Sequence, residues 1–145
     1  MLRKRALVAV AVFGLLAAPG AARAGPEATG TWRMANGKVT VKVSHCGSNL
    51  CGTVVGLRKP RDRKGRPRLD KENPNPALRS RPVMGLTIMR NMKSNGQGNW
   101  SGTIYNPDDG KTYSAYMALQ DAKTMNVAGC VAGVFCKSMK FIKLD

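Results

Sequence analysis

The sequence is poor in the residues from which most reactive sites are built. Histidine occurs once, at His45, and 8 Asp plus Glu stand against 24 Lys plus Arg in 145 residues. One imidazole cannot furnish a two-histidine site, which removes most acid–base and metal chemistry founded on that residue. Aromatic residues make up 6% of the chain, and none falls between Arg58 and Met84, its most basic stretch. Binders of single-stranded nucleic acid interleave cations with stacking platforms, so this absence argues against a nucleic-acid partner despite a formal charge of +16. The length fits one domain rather than a multidomain enzyme.

Long apolar runs are also missing. The longest, Ala6 to Ala18, has 13 residues, well short of the roughly 20 that cross a bilayer as a helix. It follows Arg3, Lys4 and Arg5, and Ala22-Arg23-Ala24 supplies a small-x-small cleavage pattern before Gly25. Residues 1–24 therefore read as a secretory signal peptide, residues 25–145 as a single β-barrel domain, and the location as exported, periplasmic or secreted. No cysteine lies near the cut to carry a lipid, and no transmembrane segment is expected in the mature protein. Cleavage leaves 20 basic and 8 acidic groups, a net charge of +12.

Four cysteines are present, as two close pairs: Cys46 with Cys51, and Cys130 with Cys136. An oxidising compartment makes disulfides the default. Gaps of four and five residues suit zinc poorly, since paired ligands there favour two to four. Neither a metal nor a cofactor is expected. Three pairings remain open on paper.

Secondary structure reads as short strands and tight turns. Val39, Val41 and Val43 alternate with Thr40, Lys42 and Ser44, the two-residue period of a strand with one buried face. Thr31–Met34, Leu50–Leu57, Gly85–Met92, Trp100–Tyr105, Lys111–Leu119, Met125–Val131 and Lys137–Leu144 complete eight strands. Ser94 to Gly98 and Asn106 to Gly110 are rich in turn residues. No helix of ordinary length is patterned. Eight antiparallel strands leave two costly edges unless the sheet closes, so an all-β, eight-stranded up-and-down barrel is predicted, interrupted by one long basic loop.

Closure has geometric consequences. With alternating strand directions the two cysteine loops lie at opposite ends, separated by a strand length of about 20 Å. A disulfide spans at most about 7 Å between Cα atoms, so both bridges should be local. The first strand also meets the last, which brings Trp32, Phe141 and Lys143 together at the closure and allows Lys143 to lie across the indole. The Gly30-Thr31-Trp32 opening and basic closing residue resemble those of lipocalin-like barrels.

A fuller resemblance runs from about Gly30 to Lys143. Its carriers are Gly30-Thr31-Trp32, Cys46, Leu50-Cys51-Gly52, Asp70, Asn73-Pro74, Arg79-Ser80-Arg81-Pro82 and Gly85-Leu86 in the first part. Gly102 to Pro107, Gly110-Lys111-Thr112-Tyr113, Gly129-Cys130, Cys136, Phe141 and Lys143 follow in order. Together they resemble the small exported bacterial family catalogued as domain of unknown function 2147. That family usually ends with Trp and Arg where this chain has Phe141 and Lys143, implying a weaker stacking lid here. The resemblance implies a lipocalin-like barrel and an envelope location, and it brings no catalytic residues to carry over.

The segment Arg58 to Met84 holds ten basic and three acidic residues, a charge of +7 with five prolines. Arg61, Arg63, Lys64, Arg66 and Arg68 are candidates for binding anionic envelope lipid or polymer, where each cation near an anionic leaflet gains about 1 kcal/mol. The plainer alternative is a solvated loop. A short helical turn is expected near Pro76 to Arg79. Tyr105, Asp108 and Tyr113 are candidates for the barrel mouth. Seven methionines beyond Met1 and seven aromatic residues either fill the barrel or line a site for a small apolar ligand. No nucleophile, base and orienting group assemble, so a non-enzymatic binding or interaction module is expected.

Overall fold

The structure, a computed structural model, describes residues 27–145. The expected signal peptide, residues 1–24, lies outside the described residues. Eight strands follow one another: β1 (Gly30–Met34), β2 (Val39–Cys46), β3 (Asn49–Leu57), β4 (Thr87–Gly96), β5 (Asn99–Asn106), β6 (Lys111–Leu119), β7 (Thr124–Val131) and β8 (Phe135–Lys143). Each pairs antiparallel with the next, and β1 also pairs with β8, closing the barrel. No helix among the described residues is long and apolar enough to cross a membrane.

Turn chemistry fixes the register. Gln97 and Gly98 both have positive φ, 56° and 77°, which suits the two-residue hairpins whose twist matches the strands. That tight reversal leaves Ser94, Asn95 and Gly96 in the ladder, so β4 runs further than the sequence pattern suggests, and it starts later, at Thr87 rather than Gly85. Between Thr40 and Val41 the β2–β3 register shifts by one. Leu50, Gly52 and Val54 are buried, Val55 is thrown outward and Leu57 turns back in to pair with Val39, as a bulge re-aims the residues beyond it.

The barrel is filled at one end and hollow at the other. At the end where the chain enters and leaves, Trp32, Met89, Met92, Met117, Met125 and Phe141 are fully buried with Val41 and Val127. The Trp32 indole N–H donates to the carbonyl of Ala28 at 2.8 Å, and Ala28 itself is buried beneath it. Trp32 pairs with Lys143 and Met34 with Phe141, and Lys143 Nζ stands 5.6 Å from the centre of the indole. Burying such side chains supplies about 1.5–3 kcal/mol each, before the entropy of ordering them. At this closed end Cys46 is bridged to Cys51 across the β2–β3 hairpin, Cα atoms 5.8 Å apart. At the other end Cys130 is bridged to Cys136, which it faces directly in the β7–β8 ladder, Cα atoms 4.0 Å apart.

Candidate functional site: the open mouth of the barrel

The open end is built from the β1–β2 turn, the β5–β6 turn, the β7–β8 hairpin and the long segment between β3 and β4. A cavity of about 840 Å³ opens there. Its wall is apolar: Met34 from β1, Val39 from β2, Val54 and Leu57 from β3, Ile88 from β4, Ile104 from β5 and Met139 from β8. Gly129 continues the inward face of β7, on which Met125 and Val127 are buried, and the missing side chain widens the space. Six of the seven methionines thus divide the two roles expected of them, while Met84 is exposed on the β3–β4 segment and takes neither. Met89, Met92, Met117 and Met125 fill the closed half, while Met34 and Met139 line the open half.

Polar groups ring the rim. Lys38, Arg68, Asp108, Asp109, Tyr113 and Lys137 all border the cavity. The Asp108 carboxylate accepts from Lys38 Nζ on one oxygen and from an Arg68 guanidinium N–H on the other, each at 2.5 Å. Asp109 accepts from the Tyr113 hydroxyl at 2.5 Å and from the Lys111 backbone N–H at 2.9 Å. Burial favours the protonated Asp109, but these hydrogen bonds outweigh it and hold the carboxyl below its usual range. The same bond pushes the Tyr113 hydroxyl up, with burial and the carboxylate charge adding to it.

The basic segment 58–84 is not an unsupported flap. Asp70, 0% exposed, anchors it. Its carboxylate accepts from the Tyr105 hydroxyl at 2.6 Å, from Asn73 Nδ2 at 2.8 Å and from Arg81 Nε at 2.9 Å. Burial raises the Asp70 pKa, yet the three donors and the Arg81 charge prevail and hold it below the ordinary 3.8. Burial first, then the Asp70 hydrogen bond and charge, push Tyr105 above the ordinary 10.0. Arg79 Nε donates to the Asn73 carbonyl, and a 3₁₀ turn, Pro76–Leu78, is capped by the Asn75 side chain. Val83 and Leu86 are buried, and the Gly85 N–H and Leu86 carbonyl bond to Val54 of β3. At Gly110, with φ of +70°, a Cβ would lie 1.8 Å from the Glu72 carbonyl oxygen. Only glycine lets the segment sit that close to the β5–β6 turn.

The sequence-level anion-binding group is therefore divided. Arg61 donates to the Gly65 carbonyl, Arg66 pairs with Asp62, and Arg68 pairs with Asp108 at the mouth. Arg63 and Lys64 lie at the Asp62–Gly65 reversal, both exposed. Tyr105, Asp108 and Tyr113 all border the cavity, with the Tyr105 hydroxyl turned to Asp70. Sequence reasoning missed Lys38 and the Asp70 anchor. Lys38 follows the unremarkable turn Asn36-Gly37, while Asp70, Asn73, Arg81 and Tyr105 stood among the family-like residues without any sign that they meet.

A closed eight-stranded up-and-down antiparallel barrel with an apolar chamber open at one end is a lipocalin-like fold. The chain belongs to the bacterial family described as "Uncharacterized protein conserved in bacteria (DUF2147)", whose model matches residues 30–143. No curated protein matches it. Among solved structures it is similar to protein HP1028 from the human pathogen Helicobacter pylori, described as belonging to the lipocalin family. The two share 23% identity and a TM-score of 0.69, covering 82% of this chain and 84% of the other. That likeness concerns the fold.

Proposed function

We propose that this protein is an exported carrier or sensor that holds a small, largely apolar molecule reversibly in the open half of its barrel. The chamber supports this most directly: about 840 Å³ lies within the roughly 300–1,000 Å³ of small-molecule sites, which are typically apolar with a few placed polar groups. Export is supported by the pattern of residues 1–24 and by two disulfides. The proposal is for binding without catalysis. The buried carboxylate nearest the chamber, Asp70, is occupied by three donors and anchors a loop rather than facing a reacting group.

The test uses N-phenyl-1-naphthylamine, a neutral probe that fluoresces in apolar surroundings, with native mass spectrometry of protein taken from its own periplasm. The native protein should bind the probe or carry a discrete added mass. Gly129→Val should weaken both, because an added Cβ meets only ordinary contacts, 3.4 Å from Ile104 and 3.7 Å from Tyr113, and its methyls then occupy the chamber. Absence of both signals in the native protein, or a Gly129→Val variant binding equally well, would overturn the proposal.

A second reading concerns the outside of the same end. Val134 and Phe135 are 75% and 77% exposed on the β7–β8 hairpin, at the end from which the basic segment also springs. We infer that this end rests on an anionic lipid surface, the cations drawn to headgroups and the apolar tip to the interface. Co-sedimentation with phosphatidylglycerol vesicles should fall on Phe135→Ser and on joint Arg63→Ser and Lys64→Ser replacement. Equal sedimentation with neutral vesicles would refute it.

A further inference from the structure

We propose that the chamber takes molecules with one carboxylate head and an apolar body, and that Asp108 is an internal substitute for that head, latching the mouth when no ligand is bound. The inference rests on the cavity-binding proposal and adds the class of ligand. It starts from topology. Lys38 lies in the β1–β2 turn and Asp108 in the β5–β6 turn, four strands apart whichever way the ring of eight is traversed. Their side chains nevertheless touch, so the pair reaches across the mouth rather than along its rim. Arg68 comes to the same carboxylate from the β3–β4 segment.

Each Asp108 oxygen is matched to one cation, Oδ2 to Lys38 and Oδ1 to Arg68. Two cations from separate elements thus converge on one carboxylate above an apolar chamber. Charge-assisted bonds of this kind are the strong and orienting ones. The carboxylate that fills the position is replaceable. Asp108 belongs to an exposed turn, its side chain is 35% exposed, and the turn is held by the Asn106 side chain accepting from the Asp108 backbone N–H rather than by the Asp108 carboxylate. The neighbouring acid cannot take over its role, because Asp109 is committed to Tyr113 and to the Lys111 N–H. Lys137 adds a further cation to the cavity border. If Asp108 swings out, Lys38, Arg68 and Lys137 face the opening, over a wall that carries no acid deeper than the rim. A ligand carboxylate can then replace the Asp108 carboxylate bond for bond while its apolar part displaces water below.

The test compares octanoate with octan-1-ol, which share a tail and differ in the head, by titration calorimetry on the full mature protein. Asp108→Asn removes the competing charge and keeps a residue suited to the turn. It should raise the octanoate-to-octanol affinity ratio by about tenfold, since one charge-assisted competitor is lost. Joint Lys38→Met and Arg68→Met replacement should bring the ratio near one. An unchanged ratio in Asp108→Asn, or a preference that survives the double replacement, would overturn the carboxylate assignment and leave the apolar chamber standing. If the native protein binds neither octanoate, octanol nor the neutral probe, both proposals fall together.

Discussion

Asp70 carries the sharpest consequence for stability. Its carboxylate has no contact with water and is satisfied by Tyr105, Asn73 and Arg81. Asp70→Asn preserves the shape but removes the charge, and its amide turns a second set of hydrogens toward donors, so at most one or two of the three bonds survive. Removing one partner of a buried charged pair costs about 3–5 kcal/mol, and a stranded Tyr105 hydroxyl about 1–3 kcal/mol. Arg81 is partly exposed and regains some hydration, which places the expected loss for Asp70→Asn at about 3 kcal/mol. Tyr105→Phe removes one donor and should cost about 1–2 kcal/mol. Urea unfolding monitored by tryptophan fluorescence, with both single variants and the double variant, reads these values, and the double should cost less than the sum because the two share a bond. The pH dependence follows from the direction of the shift. Folded Asp70 holds its proton less tightly than the unfolded chain, so its contribution is complete above about 3.8 and is lost as the pH falls below that through the folded value. The acid limb of the stability profile should be shallower in Asp70→Asn. A loss within 0.5 kcal/mol, on the order of an ordinary surface substitution, would refute the anchoring role.

Other perturbations address the two ends of the barrel separately. Lys143→Met keeps the aliphatic stem over Trp32 and removes the charge, and should lower stability by about 0.5–1 kcal/mol in thermal unfolding; no change would dismiss the cation–π contribution. Joint Cys130→Ser and Cys136→Ser replacement opens a loop of about six residues, for a loss of about 2 kcal/mol by loop entropy, and should hasten amide exchange in the β7–β8 hairpin before that of β2 and β3. Uniform acceleration across all strands would show that this bridge supports the whole barrel.

Much of the barrel was legible because strand period and turn chemistry are local properties. The alternation in Val39–Ser44, the turn residues near Asn106–Gly110 and the short cysteine spacings constrain neighbours in sequence, and neighbours in sequence are also partners in an up-and-down sheet. Closure followed from the cost of free edges, and the meeting of Trp32 with Lys143 followed from closure. The Val39–Val41 to Val54–Leu57 bulge was not legible, because the residue count of each strand does not show which partner carries the extra residue.

The long basic segment shows where local reading stops. Its charge and prolines argue against a regular strand or long helix, yet they equally describe a solvated loop and one folded around a buried aspartate. That choice depended on Tyr105, 35 residues away, supplying a hydroxyl to Asp70, and on Gly110 permitting contact with Glu72. The interior was likewise undetermined by composition, since methionine suits both a packed core and a cavity wall. The sequence by itself determined the strands, the hairpins, the local disulfides and the excess of positive charge, all set by residues close in the chain. Only the tertiary structure decided that one half of the barrel is filled and the other hollow, and that Lys38, Arg68 and Asp108 meet above the opening, because those outcomes depend on side chains brought together across the ring by its closure.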